Sequence, residues 1–74
     1  MWKFYPELVG AAIRTEREKK NIKGKDLAEW LDLEPSQVSK LERGIALNGY
    51  KVAEVANVMG LDPREIMNSG FVEE

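Results

Sequence analysis

The stretch Gly24 to Arg43, GKDLAEWLDLEPSQVSKLER, contains two short apolar stripes separated by a turn. Leu27, Ala28 and Leu31 recur at helical spacing in its first half, and Val38 and Leu41 do so in its second. The first segment runs from Gly24 to about Leu31, and Asp32 follows as a turn residue, because a short polar side chain tolerates the left-handed backbone. Pro35 suits the first position of the next helix, where its missing N–H would be unpaired in any case. Gly44 is placed to end that helix as a C-terminal cap. Two short helices joined this tightly must cross steeply, which requires apolar side chains at Leu27, Leu31, Leu33, Val38 and Leu41 and a small one at Ala28.

Three further helices extend the pattern on both sides, and no strand is expected. Upstream, Glu7 to Lys20 follows Pro6, with Leu8, Ala12 and Ile13 on one side, Arg17 extending that side, and Asn21 as a stop. Downstream, Ile45 to Gly49 reads as a loop. Asn48 is a cap for a helix whose inner side is Val52, Val55, Ala56 and Met59, and Gly60 ends it. Asp62-Pro63 opens a short last helix that carries Ile66 and Met67 inward. By its spacing Trp30 points outward from the second helix.

Composition narrows the function. Seventy-four residues accommodate one domain, 1–74, with a small core and no room for a ligand-sensing domain. There is no cysteine and no histidine, so thiolate metal sites, imidazole ligands and the commonest general base are all missing. No paired catalytic constellation stands out, so no enzyme, metal or cofactor is expected. No apolar run approaches the ~20 residues of a membrane span, and the start is too short and polar for a signal peptide, which makes cytoplasm the expected compartment. The net charge is −2, but residues 1–51 hold ten Lys/Arg against eight Asp/Glu, while 52–74 hold one against five. A surface for a polyanion must therefore lie in the first two thirds.

Leu27-Ala28, then Val38-Ser39-Lys40-Leu41-Glu42-Arg43-Gly44 after ten residues up to Ser39, then Ala56 with Met59-Gly60-Leu61-Asp62, together resemble the phage-repressor and Cro-like helix-turn-helix family, also called the xenobiotic-response-element family. The resemblance covers about residues 7–67. It implies an all-α, compact five-helix, lambda-repressor-like domain. The implied function is a sequence-specific regulator of transcription that binds double-stranded DNA, as repressor or activator. In that family the third helix enters the major groove with its N-terminal end against base edges.

Removing the inward Val38 and Leu41 leaves Ser36, Gln37, Ser39, Lys40 and Arg43 on the outer side. The resemblance then implies base contacts from Ser36, Gln37 and Lys40. Gln is suited to a bidentate pair with adenine, and Lys to guanine acceptors. Phosphate contacts are implied for Lys23, Gly24 through its backbone N–H, Lys25 and Arg43, with Asn48, Tyr50 and Lys51 against the flanking backbone. The family often pairs an Arg and a Glu at the positions of Arg17 and Glu42, so a partly buried salt bridge between the first and third helices is expected, with a structural role.

The chain departs from the family pattern at four places. Gly24 stands where a phosphate-binding Gln is usual, and Asp32 where the turn usually has Gly. Pro35 occupies an early position of the third helix that often reads a base, and Ile45-Ala46-Leu47 supplies no basic residue to the loop. Fewer phosphate contacts imply weaker affinity and a shallower salt dependence. A homodimer would restore contacts by doubling them, and the apolar Trp2, Phe4, Tyr5, Ile45, Leu47, Phe71 and Val72 suit self-association or folding back onto the core. The acidic balance, Gly24 and the apolar loop support a second expectation on the same scaffold: an antitoxin-like or adaptor module that binds protein, with little DNA affinity.

Overall fold

The computed structural model describes residues 1–74, in the order β1 (Trp2–Phe4), α1 (Pro6–Lys19), α2 (Gly24–Trp30), α3 (Pro35–Glu42), α4 (Gly49–Met59), α5 (Pro63–Asn68) and β2 (Phe71–Glu73). The five helices lie within a residue or two of the places their caps predict. Asp32 has φ 57°, so the turn between α2 and α3 does use the left-handed backbone expected of it. Gly44 (φ 83°) and Gly60 (φ 70°) take the same region just past α3 and α4. The Asn48 side chain accepts from the Lys51 N–H at 2.8 Å, and the Asp62 side chain accepts from the Arg64 N–H at 2.9 Å, which satisfies first-turn donors of α4 and α5.

The core is one apolar cluster drawn from every helix. Val9 and Ile13 come from α1, Leu27 and Ala28 from α2 with Leu31 just past it, and Val38 and Leu41 from α3. Val52, Val55 and Met59 come from α4, and Ile66 from α5. No polar side chain is buried in it. Helices α2 and α3 pack together, with Leu27, Ala28, Val38 and Leu41 in the shared cluster and Leu33 packed at its edge.

Two expectations need correction. The ends are not helical or irregular: β1 and β2 pair antiparallel, with Trp2 opposite Glu73, Lys3 opposite Val72 and Phe4 opposite Phe71. Alternation puts Trp2, Phe4 and Phe71 on one face of this ribbon, where the Phe4 and Phe71 rings lie 4.9 Å apart, tilted by 57°. Lys3, Val72 and Glu74 share the other face, where Glu74 pairs with Lys3 and accepts from the Tyr5 hydroxyl. Three residues per strand are too few for a periodicity signal, and the partners are about seventy positions apart in the chain. Phe4 therefore packs with Phe71, Tyr5 turns to Glu74 on the other face, and Trp30 stays half-exposed on α2.

The second correction concerns the inner side of α1. Leu8 is exposed, and Val9 and Gly10 are buried in its place. Helix α1 packs on α3, α4 and α5 at once, so its buried side is wider than one stripe and centred on Val9 and Ile13. Leu8 lies instead beside Tyr5 and Val72, at the foot of the ribbon.

Candidate nucleic-acid interface

Helix α3 is anchored by two residues and displays the rest. Val38 and Leu41 are buried, whereas Ser36, Gln37, Ser39, Lys40 and Arg43 are all exposed. An α-helix is ~10–12 Å across with its side chains, close to the ~12 Å width of the B-DNA major groove. The three residues expected to meet bases thus stand on a solvent-facing surface of a helix with the right dimensions. Gln37 and Lys40 border one shallow groove, which Ile45, Ala46 and Lys51 close on the far side.

The residues expected to meet phosphate are less uniform. Lys23, at the N-cap of α2, and Lys25 are exposed, and so is Arg43, whose Nε donates to the Ser39 carbonyl at 3.4 Å. Gly24 is the first residue of α2 and half-buried, with open space where a Cβ would stand. Tyr50 is 76% exposed, so it is not a packing residue. Asn48 already uses its side-chain oxygen as the α4 cap. The Lys51 ammonium is held at 2.8 Å by Glu54, one turn along the same helix, so its charge is partly neutralised at the edge of the groove.

The interface depends on how α3 is held, and the expected Arg17–Glu42 pair does much of this. Arg17 Nε donates to Glu42 Oε2 at 2.6 Å and Nη2 to Oε1 at 3.1 Å, a fork of two bonds from α1 to the end of α3. Arg17 Nη1 also donates to the Ile22 carbonyl at 2.9 Å, which ties in the loop before α2. The side chains are only 14% and 8% exposed. The hydrogen bond to Glu42 holds the guanidinium even further above neutrality than usual, against the opposing effect of burial, so Arg17 stays charged throughout the range in which a protein folds.

Sequence reasoning missed Gly10. A Cβ built there would lie 2.6 Å from the carbonyl oxygens of both Leu41 and Glu42. The backbones of α1 and α3 meet at this point, seven residues before Arg17 on the same helix. The available signal was a glycine in mid-helix, which costs up to about 1 kcal/mol relative to alanine and so usually marks a close packing contact.

The geometry has counterparts among known proteins. The helix-turn-helix family model matches residues 13–66, which takes in all of α2, α3 and α4. No curated protein gives a significant match. Among solved structures, the clp gene regulator ClgR from Corynebacterium glutamicum is similar over 86% of this chain and 84% of its own, with 29% identity and a TM-score of 0.80. The restriction-modification controller protein C.AhdI from Aeromonas hydrophila is similar over 78% of this chain and 86% of its own, with 27% identity and a TM-score of 0.70. Both are named as regulatory proteins, neither as an enzyme. With the packing of α2 on α3, the left-handed Asp32 turn and the outward polar side of α3, these matches establish that this chain belongs to the Cro/C1-type helix-turn-helix family.

Proposed function

We propose that the chain is a sequence-specific, double-stranded DNA-binding regulator of transcription, acting in the cytoplasm as one domain over residues 1–74, with α3 in the major groove. The observation that carries this reading is α3 itself: apolar where it meets the core, and polar at Ser36, Gln37, Lys40 and Arg43 where it faces solvent. Base edges are read by Ser36, Gln37 and Lys40. Phosphates are met by Lys23, Lys25 and Arg43, by the Gly24 N–H, and at the flank by Asn48, Tyr50 and Lys51. Lys51 would do so by sharing its ammonium between Glu54 and phosphate or by exchanging one for the other. As these contacts are few, the protein works as a homodimer on two half-sites about one helical turn apart. The exposed aromatic face of the ribbon, Trp2, Phe4 and Phe71, is apolar surface suited to that association.

Titration of a random duplex and of a duplex selected from a random pool, each at several salt concentrations, tests the proposal. The expected result is preference for the selected duplex, with log K falling linearly in log salt by about 0.9 for each phosphate neutralised. Lys40→Ala is expected to cost ~1–3 kcal/mol on the best site and much less on random DNA. An equal loss on both would make Lys40 a phosphate contact. No binding even at low salt would overturn the proposal in favour of a protein-binding module on the same scaffold, which the bound Lys51 and the uncharged 45–47 loop would then explain.

A further inference from the structure

We propose that Gln37 reads guanine, because the helix cap engages its amide oxygen and leaves the NH2 group as its free end. The inference rests on the placement of α3 in the major groove and adds the identity of the base. Gln37 is the third residue of α3, and its Oε1 accepts the backbone N–H of Glu34, the N-cap residue, at 2.7 Å. A backbone N–H can only donate, so the amide atom facing it must be the oxygen. The orientation of the amide is therefore fixed by chemistry. Its oxygen lies against the helix end, and its NH2 group is the part left for a partner on the exposed side of α3.

That orientation changes what the side chain can recognise. A bidentate pair with adenine, the reading its residue type suggests, needs the amide oxygen to accept from N6 while the nitrogen donates to N7. Here the oxygen already satisfies a first-turn N–H that has no partner within the helix. The oxygen has a second lone pair, but the Glu34 N–H holds it against the helix end, so an adenine pair would have to draw it away from the position the cap gives it. The NH2 group needs acceptors, and guanine alone presents two on its major-groove edge, N7 and O6. Lys40 stands three residues further along the exposed side, one turn away, and its ammonium can only donate. Gln37 and Lys40 thus present donors in succession, a pattern that suits guanine-containing half-sites.

Selection of duplexes from a random pool, run in parallel on the wild type, Gln37→Ala and Gln37→Glu, tests this. The wild type should select guanine at one position of the half-site, and Gln37→Ala should lose the preference at that position and keep it elsewhere. Gln37→Glu keeps an oxygen for the Glu34 N–H, so it should melt within a few degrees of the wild type. Its carboxylate can only accept, so the same position should change to cytosine, whose N4 amino group donates. Replacing the selected guanine with 7-deazaguanine, which lacks the N7 acceptor, should weaken the wild type roughly five- to tenfold and leave Gln37→Ala unaffected. Adenine at the Gln37-dependent position would show that the amide oxygen takes part in reading and would overturn the inference, with α3 still in the groove. Unchanged preferences in Gln37→Ala would overturn it as well, by removing Gln37 from the readers. Failure of the wild type to bind any duplex at low salt would discard the groove placement, and this inference with it.

Discussion

Glu42→Ala is expected to lower stability by about 3–5 kcal/mol, the usual cost of removing one partner from a buried ion pair. The loss would exceed that of a surface pair, typically ~0–1 kcal/mol, because the Arg17 and Glu42 side chains are largely enclosed and joined by two bonds. Without the carboxylate, the Arg17 fork keeps only the Ile22 carbonyl as a partner, and a desolvated cation is left behind. In a domain of this size each kcal/mol moves the melting temperature by about 4–8 °C, so a fall of 12 °C or more should be seen in a thermal melt. Glu42→Gln should also lose stability, since the new NH2 group would oppose an Arg17 N–H. The double substitution Arg17→Met with Glu42→Leu separates burial from charge. If the large cost comes from an orphaned cation, removing both partners should recover most of the loss. A double variant as unstable as Glu42→Ala would mean that the pair stabilises the fold in its own right. An unchanged melting temperature in Glu42→Gln would refute the structural role altogether.

Gly10→Ala is the second large effect, and its sign decides between two physical terms. Helix propensity alone predicts that alanine stabilises an interior helix position by about 0.5–1 kcal/mol. The local geometry predicts the reverse. The new methyl would sit 2.6 Å from two carbonyl oxygens and 2.7 Å from the Glu42 carbonyl carbon, and these are backbone atoms that cannot swing aside. Helix α1 would have to move away from α3. Overpacking costs typically 1–3 kcal/mol where side chains give way, and a rigid backbone wall puts this site at or above ~3 kcal/mol. Calorimetry on Gly10→Ala should show a net loss, and a rise in melting temperature would mean the helices are not in close contact. Because Gly10 and the Arg17–Glu42 pair hold the same seam, Gly10→Ala and Glu42→Ala should combine for less than the sum of their separate effects. Either change loosens the α1–α3 seam at the C-terminal end of α3, so the best-site DNA affinity should fall along with the melting temperature.

The positions of the helices were legible because their signals are local. Pro35 and Pro63 mark helix starts, Asn48 and Asp62 cap with their own side chains, and Asp32, Gly44 and Gly60 take up the left-handed backbone at the ends. Each depends on neighbours no more than four positions away. The buried stripes of α2 to α4 were readable for the same reason, since Leu27, Val38, Leu41, Val52 and Val55 repeat at the helical period. Helix α1 was misread by one residue at Leu8. Three helices press on it, and periodicity locates the middle of a narrow stripe better than the edges of a broad one. In the interface, exposure of Ser36, Gln37 and Lys40 followed from subtracting Val38 and Leu41. The engagement of Lys51 by Glu54 did not, although the two are three residues apart, because a surface charge has several possible partners and only the packed helix selects one.

From its residues alone, this chain determined five helices, their ends, most of the core and the outward side of α3, since each of these depends on the order of side chains within one or two turns. Tertiary structure decided the ribbon of Trp2–Phe4 with Phe71–Glu73, the approach of Gly10 to Glu42, and the exact reach of Arg17 across the α1–α3 seam. Those contacts join segments from twenty-five to about seventy positions apart, and no local pattern specifies the distance between them until the apolar cluster closes and brings the chain's remote parts into register.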